Sequence, residues 1–278
     1  MRPLRLCFRI IVGAFGRFNA NDGWSTASHI ALSALMSLFP FLIVVTALAG
    51  FIGTRELSDE VARILLEAWP TQVATPIAAE IQNVLTTARG DVLTIGVALA
   101  LFFASSGIES LRIGLNRAYG VIEGRSWWLL RLESIAYVLV AAVALLALAF
   151  LVVLAPLIFA TAVRYAPWLT PLLPLLNFLR LAVAAIVLIT ALFIAHKWLP
   201  AGRRRLSWIA PGIMATLVLW LVAGEVFGSY LADFAYTYVT YYAGLASAMI
   251  ALVFLYLTSA IFIYGGELNS AIAAARRG

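Results

Sequence analysis

Residues 246–264 read ASAMIALVFLYLTSAIFIY, nineteen consecutive positions without a formal charge. No period-2 alternation runs through them, and the stretch is too long for a buried strand. As one helix it is long enough to cross a hydrocarbon core of about 30 Å. A charge, Glu267, arrives only after the run ends. A chain that places this segment in lipid must satisfy its backbone polar groups internally, so the other apolar runs fall under the same rule and read as helices.

The rest of the chain agrees. Of 278 residues, 64% are hydrophobic and 12% are charged, against about 25% charged in an ordinary soluble domain. That leaves too little polar side chain to cover a soluble particle. The net charge of +6 fits basic segments beside membrane helices and does not by itself imply nucleic acid. Cys7 stands alone, so no internal disulfide forms.

In order, residues 1–23 carry Arg2, Arg5, Arg9 and Arg17 among aromatic and small apolar residues. Their apolar core is short and broken by Gly13, and no Ala-x-Ala site follows. They read as an amphipathic helix on the cytoplasmic interface rather than a signal peptide. The first span is expected at about 28–51. His29, Ser33 and Ser37 recur there every four residues on one face, and Pro40 kinks the helix near its middle. Residues 53–90 are polar, and two short amphipathic helices are expected there over the periplasmic side. The remaining spans are expected at about 92–108, 135–160, 181–198, 209–231 and 242–266. The fold class is therefore all-α: a polytopic membrane protein with six transmembrane helices in one integral membrane domain, 1–278.

Loop charge orients the bundle. The N-terminal segment, residues 109–133, residues 197–205 and the Arg276–Arg277 tail are arginine-rich. Residues 53–90 hold three basic and five acidic side chains. Alternation of this kind places both termini in the cytoplasm.

Three blocks now carry a resemblance. DGWSTASHIALSALMSLFPFLIVVTALAGFIG at 22–53, GIESLRIGLNRAYGV at 107–121 and YYAGLASAMIALVFLYLTSAIFIYGGELNSA at 241–271 resemble, in order and spacing, the YihY/BrkB family of bacterial inner-membrane proteins. The resemblance covers about residues 20–275. It implies six membrane helices and an inner-membrane location, and no settled activity. Family members carry the names ribonuclease BN, a misassignment, and serum-resistance factor. The family's usual Gly-Ala-Glu-Leu stands here as Gly265, Gly266, Glu267 and Leu268. Its usual Ala-Tyr or Ala-Phe pair stands here as Leu32 and Ser33, which leaves no aromatic to carry a role at that place.

The candidate site residues gather at the membrane faces. His29, Ser33, Glu109, Arg112, Asn116, Glu267 and Asn269 are expected at the cytoplasmic side. They fit the mouth of a transport path, or salt bridges and caps that hold the bundle. Glu109 and Arg112, one turn apart, are expected to pair, and Glu267 is expected to approach Glu109, Arg112 or His29. Glu225 is an acid well inside the fifth span and needs a partner, water or a proton; Arg180 is its expected partner. No metal is expected, since His29 and His196 are the two histidines and neither has a second one at metal-ligand spacing. No phosphate-binding loop is present, so no cofactor is expected. Ser106-Gly107 and Gly265-Gly266 read as helix contacts rather than catalytic turns. Arg203, Arg204 and Arg205 are expected to meet anionic lipid headgroups. Without a folded polar module beside them, no nucleic-acid partner is expected. A homo-oligomer is compatible with the sequence. A transporter or channel for an ion, lipid or small solute, and a non-transporting envelope or scaffolding protein, are the two functions carried forward. An enzyme is not expected.

Overall fold

The computed structural model describes residues 2–52, 90–165, 171, 173–242 and 245–276. Among them it is all-α. The helices are α1 (Arg2–Ala20), α2 (Gly23–Ile52), α3 (Gly90–Tyr119), α4 (Trp127–Tyr165), α5 (Leu173–Trp198), α6 (Leu206–Tyr242) and α7 (Ala246–Ala275). The two amphipathic helices expected within 53–90 lie outside the described residues.

Five helical segments among the described residues are long and apolar enough to cross a membrane: Val97–Tyr119, Trp127–Leu148, Phe178–Trp198, Leu206–Ala232 and Ala248–Ala275. The first expected span, 28–51, lies within α2 and is not one of these five; α2 to α6 overrun their expected spans at one end or both, whereas α7 starts four residues later than expected and overruns at its C-terminal end. α3 continues through Glu109, Arg112 and Asn116 to Tyr119, and α7 continues through Glu267 to Ala275. Polarity marks where lipid ends, whereas the helix ends only where a backbone signal stops it. For α3 that signal is Gly120, at φ 62°, whose N–H turns back to the Arg117 carbonyl.

The chain divides into two compact units. The first comprises Met1–Leu38, Ser105–Ser134 and Leu192–Gly278; the second comprises Phe39–Ala104 and Ile135–Ala191. Buried residues of the second unit include Leu42, Val44, Val45, Ala100, Val138 and Ala142.

The first unit is built around α7. The face of α7 holding Leu268 and Ala271 packs on Ala14 and Ile10 of α1. Gly114 lets α3 close on its neighbours, since a Cβ there would meet Ile30 of α2 and Ile263 of α7. The Gly265-Gly266 pair serves two sides. A Cβ on Gly265 would strike Thr216 and the Gly212 carbonyl of α6, and one on Gly266 would press on Ala118 and Leu115 of α3. Small residues at such crossings allow close backbone approach, which substitutes in lipid for the missing hydrophobic drive. Trp220 Nε1 donates to the Thr258 carbonyl at 3.0 Å, adding a polar tie between α6 and α7.

α1 and α2 meet at a tight corner. Asp22 takes a left-handed φ of 54°, and the Thr26 N–H returns to its carbonyl at 2.9 Å. Phe18 fills the corner against Gly23, with Trp24 edge-on at 4.9 Å.

Candidate functional site

At the junction of α3 and α4 the charges form a closed network. Glu109 accepts from Arg112 Nη2 at 3.2 Å and from Arg131 Nη1 at 2.5 Å. Arg112 also donates to the Leu130 carbonyl and the Ser134 hydroxyl, at 3.2 and 3.3 Å. Arg125 grips both oxygens of Glu123, at 2.9 and 2.8 Å, and reaches Glu133 at 2.7 Å and the Leu199 carbonyl at 2.9 Å. Asn116 is the hinge pin: its Nδ2 donates to Glu123 at 3.1 Å and its Oδ1 accepts from the Ala201 N–H at 2.7 Å. The expected Glu109–Arg112 pair is present. The fork from Arg125 holds the Glu123 carboxyl down to about 2, against burial that pushes the other way, with Asn116 assisting.

Glu267 finds different partners from those expected. Its side chain is fully buried, and it accepts from Arg17 Nε at 3.3 Å and Asn21 Nδ2 at 2.6 Å. Arg17 Nη2 also donates to the Ser270 hydroxyl at 2.7 Å. The expected approach to Glu109, Arg112 or His29 is therefore replaced by a clamp from α1. The physical reason is helical phase. Glu267 stands next to Gly266, which faces α3, and one residue further on turns about 100° away. Leu268 and Ala271, on the face that meets α1, lie one and four residues beyond Glu267.

A third group is a line of polar side chains, buried at Asn269 and His196 and half-buried at Tyr119. The Gly212 N–H donates to Asn269 Oδ1 at 2.7 Å, which orients the amide. Asn269 Nδ2 then reaches the Tyr119 hydroxyl at 3.2 Å, and that hydroxyl lies 2.8 Å from His196 Nδ1. His196 is fully buried, with Phe262 at 4.9 Å, and its Nε2 has no partner among the described residues. Arg204 lies over the Tyr119 ring at 4.1 Å and donates through Nη2 to the Ala201 carbonyl at 2.8 Å. Its buried Nη1 has no partner among the described residues. Burial lowers the pKa of Arg204 below the usual arginine value. Arg203 and Arg205 are exposed, while Arg204 turns inward. The three arginines therefore do not present one continuous basic surface.

The face of α2 marked by His29, Ser33 and Ser37 meets α3 at two of its three positions. His29 Nε2 lies 3.4 Å from the Ser110 hydroxyl, and Ser37 sits against Gly107. The Ser37 hydroxyl donates back to the Ala34 carbonyl at 3.0 Å, so it is satisfied within its own helix. Ser33 is half-buried. Pro40 lies inside α2, and the helix continues through it. Glu225 is exposed on α6, within the first unit, and Arg180 is half-buried on α5, within the second. Among the described residues, no three His, Cys, Asp or Glu side chains converge as metal ligands.

Comparison with known proteins decides the family. The family model described as "Virulence factor BrkB" matches residues 14–278. The chain belongs to the BrkB family. It is 26% identical over 256 residues to a Bacillus subtilis (strain 168) protein named as ribonuclease-like, YfkH, with 92% of each chain covered. It is 27% identical over 264 residues to a UPF0761 membrane protein of Coxiella burnetii (strain RSA 493 / Nine Mile phase I), covering 93% of this chain and 91% of the other. No solved structure matches.

Within this BrkB chain, sequence reasoning passed over several members of the three groups. Arg17 and Asn21 lie near the start of the chain, about 250 residues from Glu267. Tyr119 and His196 give no local motif. One signal was available. A histidine, a tyrosine and an asparagine toward the C-terminal ends of three apolar helices all need partners there, and each is the nearest solution for another.

Proposed function

We propose that this BrkB protein is a multi-pass protein of the bacterial inner membrane that moves a small solute, ion or lipid. It would cross the membrane six times, with α2 as the first span and both termini in the cytoplasm. The carrying observation is the line Asn269–Tyr119–His196, whose two end residues are buried and whose middle one is half-buried, ending on a nitrogen without a partner among the described residues. Polar and ionisable groups within membrane helices are costly, and they commonly mark the route of a solute. Glu225, exposed on α6 within its apolar length, would be a second ionisable group on such a route.

The test is flux into proteoliposomes across a panel of ions, lipids and small acids. His196→Ala, checked for folding by its melting temperature, should lose flux of whichever solute the parent carries. A parent protein that carries none of them removes the reading.

A specific observation favours a second reading, a non-transporting envelope or scaffolding protein. Glu109, Glu123, Glu133 and Glu267 each have an arginine partner, which is how a rigid framework is stapled. In either reading the protein is not a nuclease. A precursor tRNA should remain uncut by the purified protein with magnesium, manganese or zinc, and cleavage that vanishes when Glu109 and Glu267 are both changed to Gln would reverse this.

A further inference from the structure

Hydrogen-bond counting favours one position for the proton of a neutral His196, since the opposite tautomer would leave the Tyr119 O–H to find another acceptor. Asn269 Oδ1 is occupied by the Gly212 N–H, so its Nδ2 must be the donor to Tyr119. The Tyr119 oxygen then accepts from Asn269 and has its own proton left to give, and the acceptor at 2.8 Å is His196 Nδ1. A neutral imidazole that accepts at Nδ1 carries its proton at Nε2. The free end of the relay is therefore a donor, His196 Nε2–H, with no acceptor among the described residues.

A second donor lies against the same tyrosine. Arg204 stacks on the Tyr119 ring and keeps Nη1 buried without a partner among the described residues. The carboxylates nearby are committed to other arginines: Glu109 to Arg112 and Arg131, Glu123 and Glu133 to Arg125, and Glu267 to Arg17. Among the described residues no carboxylate pairs with Arg204. Around Tyr119, then, stand two buried N–H donors without an acceptor among the described residues, and one guanidinium with no carboxylate partner among them. A buried donor left unmade costs about 1–3 kcal/mol, so the missing component is an acceptor, and the charge calls for an anionic one.

We propose that Arg204 and His196, held by Tyr119 and Asn269, form a binding site for a phosphate-type oxyanion at the inner ends of α3, α5 and α7. The guanidinium supplies charge and a directed N–H, and the imidazole supplies a neutral N–H fixed in direction by the relay. The same chemistry fits free inorganic phosphate and the phosphodiester of an anionic lipid headgroup. The inference deepens the transport reading, because it names the class of solute at the same side chains.

The chain has two histidines, so protein labelled with nitrogen-15 at histidine gives two sets of ring signals, and His29→Gln assigns them. The protein is studied in maltoside micelles, which contain no phosphate. In one arm inorganic phosphate is titrated in; in the other, phosphatidylglycerol is added to the micelles. The expected result is a protonated Nε2 on His196 before addition, and a saturable movement of that signal in at least one arm while His29 stays still. Movement with phosphate assigns the free anion, and movement with lipid alone assigns the headgroup. Arg204→Gln should weaken the response at least tenfold, and Arg204→Lys, which preserves the charge and the fold, should weaken it less. Tyr119→Phe should leave His196 without its fixed tautomer. The proposal is overturned by no response in either arm, by an equal response to sodium chloride at matched ionic strength, or by an unchanged response in both Arg204 variants. Binding is read without flux. Phosphate binding with no transport removes only the transport reading, and transport with a silent His196 removes only this one.

Discussion

Arg17 and Glu267 show what burial does to a pair of charges. Glu267 is completely enclosed, while 40% of the Arg17 side chain remains exposed. Removing Arg17 strands a carboxylate in the protein, whereas neutralising Glu267 leaves an arginine that can reach water. Arg17→Ala should therefore cost about 2–3 kcal/mol, below the figure for a fully buried pair, and Glu267→Gln about 1 kcal/mol. The double variant should cost less than the sum, as unfolding of the four proteins in mixed detergent will show. Equal costs for the two single changes would contradict the burial argument. Glu123 makes the pH prediction. Its carboxyl is held at about 2, below an ordinary value of 4.5. The stability it lends is thus complete above 4.5 and is lost as the pH falls from there toward 2. Melting temperatures of Glu123→Gln and parent should converge over that window and differ above it. The sequence disclosed the Glu109–Arg112 pair because one helical turn joins them. It concealed the partners of Glu267 because only tertiary packing brings residues so distant in sequence together.

At the scale of elements, apolar runs pointed to the helices, and the five described segments long and apolar enough to cross a membrane overlap five of the six expected spans. Helix ends were less legible, because Glu109 through Tyr119 are polar enough to read as a loop yet remain helical. Glu109 and Arg112 are satisfied sideways by α4, and Arg117 by Thr26 of α2, so no unwinding is needed. Glycines separate contact from space. A Cβ at Gly212 or Gly265 would collide with the facing backbone of the other helix, whereas nothing lies within 4 Å of one at Gly13 or Gly16. Gly265→Ala should force α6 and α7 apart and lower the melting temperature by several degrees. Gly16→Ala should be neutral or gain up to about 1 kcal/mol, because alanine restricts the unfolded chain. A harmless Gly265→Ala would mean that the crossing is looser than described.

For the whole molecule, orientation is the property that loop charge addresses directly. With Cys7 replaced, single cysteines at positions 70 and 170 should react with an impermeant reagent added outside intact cells, and one at position 204 should not. Labelling at 204 would invert the topology and put the Arg204–His196 site on the opposite face. Positions 70 and 170 lie outside the described residues, so this measurement draws on sequence alone at two of its three points. What the sequence could not convey is the central place of α7 in its unit. Its length and apolarity announce a span, but the glycine pair that lets α3 and α6 close on it becomes meaningful only once the neighbours are known.

The clamp from α1 to α7 also sets an order of events during synthesis. Arg17 leaves the ribosome some 250 residues before Glu267, which at about 5–20 residues per second is a wait of roughly 12–50 s. Through that interval α1 has Phe8, Ile11, Val12 and Phe15 to rest on the membrane surface, but its arginine lacks the Glu267 carboxylate. Docking of the first helix is thus a signal that the last one has arrived. Nascent chains halted before residue 267 should expose α1 to protease, and chains released past Ser270 should protect it.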